Sequence, residues 1–136
     1  MTRPAAPAGA RGPADLAALV AALREVSGED DTVLGGALLA SVDGLLLSAQ
    51  ARGAQVDTVA AMSAITVGIV AQLLDQAGVG ETRACLFEGS SGHVAVFPLR
   101  ADMVLVVFSQ KEVTMGLFSL AARGALAHMQ EAMGDR

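Results

Sequence analysis

Few side chains in this sequence are of the types that do chemistry, and their spacing argues against most of it. The histidines are His93 and His128, and the only cysteine is Cys85. Such dispersed nitrogen and sulfur ligands could close a zinc site only with carboxylates, and a lone cysteine makes no disulfide within the chain. Cys85 falls mid-strand rather than at a helix start that would lower its pKa, and no Gly-x-Ser-x-Gly elbow is present, so packing is its simpler role. Glu29, Asp30 and Asp31 could pair as acid and base, but consecutive acids read more simply as a solvated connector. Gly78-Val79-Gly80 begins like a dinucleotide fingerprint, yet position 83 is Arg and the run follows a helical stretch, which makes it a helix stop. The sole lysine, Lys111, stands between Gln110 and Glu112, without the Gly-Lys-Ser/Thr ending of a phosphate-cradling loop. Arg100, at a turn between strands, could serve a GTPase in trans as an arginine finger; a polar turn residue is the plainer reading. The expectation is a protein with no catalytic residues, no cofactor and no metal of its own.

Composition narrows the partners. The chain of 136 residues is 53% hydrophobic and 17% charged, which excludes global disorder and fits one domain. Aromatics are only 3%, so the core must come from aliphatic residues, Ala and Met. Net charge is −5, and the nine basic residues are scattered from Arg3 to Arg136, which disfavours nucleic acid. Residues 1–13 hold three prolines and no apolar core of a secretory signal, and read as a disordered tail of a cytoplasmic protein. Residues 14–136 then form a single domain.

The elements that must position these residues follow from periodicity. Leu16, Leu19, Val20, Leu23 and Val26 fall on one helical stripe, with Pro13 suited to the first helical position and Gly28 to the residue past the end. Val33–Val42 and Leu45–Ala49 read as strands joined at Asp43-Gly44, a hairpin signal for the tightest turns. Gly35 and Gly36 point to a bulge or a close backbone approach in the first of them. Residues 56–77 form a helix, followed by strands at Thr82–Glu88, His93–Leu99 and Met103–Phe108. The last of these is apolar on both faces and belongs at the centre of a covered sheet, whereas Thr82–Glu88 carries polar residues as an edge strand does. Ser109 with Glu112 resembles a capping box before a final helix reaching about Met133, in which Gly116 and Gly124 suggest close packing. One sheet with helices on both faces accommodates this order.

The helix at 56–77 is the unusual element. Its apolar residues surround it almost completely, and Ala60, Ala61, Ala64, Gly68 and Ala71 supply small residues at three- and four-residue spacing. Thr58–Leu74 runs 17 residues without a charge, but Ser63, Thr66 and Gln72 and the flanking Asp57 and Asp75 argue against a membrane span. A sheet buries one side of such a helix, and the remainder implies a partner or a bound ligand.

The element order, the Val42-Asp43-Gly44-Leu45 hairpin, Ala60-Ala61, the Phe87-Glu88-Gly89 and Val94–Leu99 hairpin, and Met115-Gly116-Leu117 together resemble the roadblock (dynein light-chain-like) family across residues 14–133. Among its members the chain is most similar to the bacterial MglB type, companions of small Ras-like GTPases. The resemblance implies an α/β (α+β) three-layer sandwich, α-β-β-α-β-β-β-α, with a five-stranded antiparallel sheet. The middle helix would cover one face and the terminal helices the other. It implies a homodimer joined through the middle helix and the third strand, which carries over here to Ala61, Ala64, Ile65, Gly68, Ala71, Gln72, Arg83, Cys85 and Phe87. The function it implies is binding and regulation of a small Ras-like GTPase, including activation, without a donated arginine. The alternatives are an adaptor that leaves nucleotide turnover alone and a small-ligand sensor.

Overall fold

The computed structural model describes residues 13–26, 33–51 and 54–134. Residues 1–12 of the proposed tail at 1–13, the acidic connector at 29–31 and Gly28 lie outside the described residues, and Pro13 belongs to the first helix. Helix α1 (Pro13–Val26) precedes strands β1 (Gly36–Ser41) and β2 (Leu46–Gln50), then helix α2 (Val56–Gln76). Strands β3 (Cys85–Gly89), β4 (Gly92–Arg100) and β5 (Met103–Ser109) and helix α3 (Met115–Ala132) complete the order. The strands form one five-stranded sheet in the order β2-β1-β5-β4-β3, with antiparallel pairing throughout. The expected fold class is the observed one.

Strand alternation sends residues to two cores. Ala37, Leu39, Ala95, Phe97, Leu105 and Val107 pack with Leu19 and Leu23 of α1 and Phe118, Ala122 and Met129 of α3. Their neighbours Leu38, Ala40, Val96, Val104, Val106 and Phe108 face the other way and pack with Ala60 of α2. The period-2 pleat thus places the terminal helices on one face and the middle helix on the opposite one. Central β5 is buried at every residue, as an apolar run on both faces requires, and β3 lies at an edge. Helices α1 and α3 are also clasped at the surface, where His128 Nε2 lies 2.6 Å from Glu25 Oε1.

Several boundaries differ from expectation for local reasons. Strand β1 starts at Gly36, not Val33, and a Cβ at Gly36 would lie 2.6 Å from Phe108 Cζ, so what comes close there is a side-chain ring rather than the expected second backbone. The β1–β2 connection is longer than the tightest turn. Ser41 N–H donates to Leu45 O and Gly44 N–H donates to Ser41 O, with Gly44 at φ 95° and a register shift between Leu39 and Ala40. Helix α3 is capped by Thr114, whose Oγ1 accepts from Leu117 N–H at 3.1 Å. The Ser109 capping box is therefore incorrect: Ser109 ends β5, and its Oγ accepts from Lys111 N–H. Gly116 and Gly124 have nothing within 4 Å of an added Cβ, so close packing within the chain does not account for them.

Candidate functional interface

Helix α2 presents two unlike sides. Towards the sheet, Ala60 and Ser63 are buried and Val56, Val59, Val67 and Val70 are partly buried over β1, β2, β5 and β4. Away from it, Met62, Ile65, Ile69 and Leu73 form a row at helical spacing, each 61 to 63% exposed. Thr66 does not interrupt this apolar character, because its hydroxyl donates to Met62 O at 2.8 Å within the helix. Burying one Leu or Ile side chain is worth about 1.5–3 kcal/mol, so four adjacent large residues left in water are a drive to association.

The sequence-named interface residues divide by position. Ile65, Gly68, Ala71 and Gln72 are on α2 away from the sheet, and a Cβ at Gly68 would meet nothing within 4 Å. Ala61 and Ala64 answer to the chain's own hairpin: a Cβ at Gly44 would lie 3.3 Å from Ala61 Cα and 3.8 Å from the Ala64 methyl. Their small size lets α2 sit against the β1–β2 turn. Phe87, in the middle of edge strand β3, is 46% exposed, and Arg83 is exposed but precedes the strand, which begins three residues later than the expected Thr82. Cys85 opens β3 rather than standing at its centre, and it is buried beneath α2, where desolvation pushes the thiol up. Met62, Ile69 and Leu73 are not singled out by the sequence reading. Their three- and four-residue spacing from Ile65 is the available signal, and the small residues on the same helix mask it.

The residues weighed for catalysis are not assembled. Among the described residues no group of three or more His, Cys, Asp and Glu side chains is placed to hold a metal. Arg100 ends β4 with its side chain 13% exposed and its Nε 3.4 Å from Asp102 Oδ1, so it does not project as a finger. His93 is buried and stacked on Phe118, with ring centroids 5.0 Å apart. It stands apart from His128, which belongs to the α1–α3 clasp.

The family model for the Roadblock/LC7 domain matches residues 29–109. Among solved structures, MglB of Myxococcus xanthus superposes with a TM-score of 0.70 at 18% identity, covering 85% of this chain and 94% of its own. The gliding protein MglB of Thermus thermophilus gives 0.74 at 18% identity, covering 91% and 93%. A Roadblock/LC7 domain of Streptomyces avermitilis gives 0.69 at 15% identity, covering 85% and 97%. Among curated proteins none matches the chain in sequence. The matched segment runs from the acidic connector through β5 and contains all five strands and α2, the elements that define the two exposed surfaces described above. This chain belongs to the Roadblock/LC7 domain family.

Proposed function

We propose that the protein is a cytoplasmic homodimer, joined through α2 and the free edge of β3, that binds and regulates a small Ras-like GTPase. The observation that carries this reading is the exposed row Met62, Ile65, Ile69 and Leu73, together with the β3 edge that bears Phe87 and has no neighbouring strand among the described residues. An edge strand offers unpaired N–H and C=O groups, and pairing with its own copy about a two-fold satisfies them while the helices cover each other's apolar sides. The chain has no phosphate-binding loop, so any action on nucleotide turnover is exerted on another protein. The structural likeness to MglB proteins supports the same reading, and the withdrawn Arg100 favours remodelling of the GTPase over a donated arginine. A GTPase seated near the two-fold axis excludes a second, which gives one GTPase per dimer.

Isothermal titration against each small GTPase of the host, loaded with a non-hydrolysable GTP analogue and then with GDP, tests the proposal. Nucleotide-dependent regulation requires different affinities for the two forms. Equal affinity for both, or binding to neither, would put the adaptor reading ahead.

A further inference from the structure

Helix α3 carries two apolar rows on opposite sides. Phe118, Ala122, Ala125 and Met129 form the inner one, buried against the sheet. Leu117, Leu120, Gly124 and Ala127 form the outer one, all exposed, at spacings of three, four and three residues and with no charge in the row before Glu131. That spacing is the narrow seam by which one helix packs on another, not the wider stripe of a helix laid on a core. Leu120 is 74% exposed, more than any residue of the α2 row. Glycine weakens a helix interior relative to alanine, and the fold of one chain gives Gly116 and Gly124 no close contact in return.

The outer row has a large half and a small half, and the two are complementary to each other. Leu120 and Gly124 stand two residues either side of Ala122, and Leu117 and Ala127 stand five. When two copies of α3 meet antiparallel about a two-fold axis at the level of Ala122, each leucine falls on a small residue: Leu120 on Gly124 and Leu117 on Ala127 of the second copy. A parallel pairing sets leucine on leucine and leaves a void at glycine, which forfeits the contacts of close packing. An added Cβ at Gly124 meets nothing within 4 Å, so its hollow is open to receive a side chain. Ala17, Ala18 and Ala21, exposed on neighbouring α1, add neither bulk nor charge that would hold a second copy away. We propose that the outer row of α3 is a second self-association surface, taking another copy of this chain in antiparallel, two-fold contact. It is separate from the α2 interface and does not depend on it; where both form, it joins one dimer to the next. The row is short, and Arg123 flanks the axis beside its own copy, a repulsion that salt screens, so the contact is weaker than that of α2 and strengthens with salt.

Light scattering on the full chain tests this as protein is raised from about 1 μM to about 500 μM, because so short a row falls below micromolar affinity. The expected result is a mass that climbs towards about twice its micromolar value. Leu120→Glu, at an exposed position, should abolish the climb and leave the micromolar mass as it was. Ile65→Glu with Ile69→Glu should keep the climb from whatever mass it starts at, which separates this contact from that of α2. Oxidation reads the register: a mixture of Leu120→Cys and Gly124→Cys should cross-link about tenfold faster than either variant alone, since only unlike copies bring these thiols together and the natural Cys85 is buried. A mass that stays flat, a climb unchanged in Leu120→Glu or lost in Ile65→Glu with Ile69→Glu, or cross-linking as fast between like copies as between unlike ones would overturn the proposal.

Discussion

A methyl carbon on Gly44 would stand 3.3 Å from Ala61 Cα, so the β1–β2 turn and helix α2 meet almost backbone to backbone. Two requirements converge on this glycine: a φ of 95°, which L side chains rarely adopt, and the absence of a Cβ. The contact fixes the roll of α2 on the sheet and therefore which of its residues look outward.

Gly44→Ala is expected to lower stability by about 1–3 kcal/mol, combining backbone strain with overpacking against Ala61. Urea unfolding checks this; an unchanged midpoint would show that the turn does not hold the helix. Gly68→Ala, with open space above it, should stabilise the isolated fold slightly instead, because Gly costs an interior helix position about 1 kcal/mol relative to Ala.

Phe118 is fully buried and stacks against the His93 ring, so Phe118→Ala should cost about 3–5 kcal/mol. The loss falls on the face covered by α1 and α3, and His93 ring protons should shift in the NMR spectrum as the stacked ring is removed. A loss under about 1 kcal/mol would contradict the packing described.

Burial pushes the Cys85 thiol up, which keeps it protonated and leaves little of the nucleophilic thiolate near neutral pH. Iodoacetamide at mildly alkaline pH should therefore modify native protein slowly and unfolded protein fast, and the native rate should rise as pH approaches the raised pKa. Oxidants should not cross-link two native copies through this residue. Rapid native alkylation or a Cys85–Cys85 dimer would mean that the strand start is open.

The sequence is most legible where periodicity and chemistry coincide. The unbroken apolar run at Met103–Phe108 fits only a doubly covered central strand, and β5 is buried throughout. Thr114 is hidden as the cap of α3 because Ser109 offers a similar pattern earlier, and only the sheet shows Ser109 committed to pairing with His93. The outer row of α2 is partly legible: Ile65 and Gly68 can be found, but Met62, Ile69 and Leu73 look like core in a helix apolar all round. Which apolar residues of such a helix stay exposed depends on its roll, and that is set by Gly44 and Ala61, a contact between segments distant in sequence. Cys85 cannot be placed from its strand alone, because a shift in where β3 starts moves it from the centre of the strand to its first position.

Arg100→Ala should leave any stimulation of a GTPase within a few-fold of the unaltered protein, since the side chain lies against Asp102 and is mostly buried. Loss of about a thousandfold in single-turnover hydrolysis would instead mark a donated arginine.

Self-association through α2 is the claim on which the functional account depends, and the mass in solution tests it most directly. With no Tyr or Trp the chain is nearly invisible at 280 nm, so light scattering is paired with refractive index. The account predicts twice the 13.7 kDa of one chain at micromolar concentration, and a shift towards 13.7 kDa for Ile65→Glu with Ile69→Glu, at unchanged circular dichroism. A mass of 13.7 kDa for the unaltered protein, or a dimer indifferent to both substitutions, would contradict it.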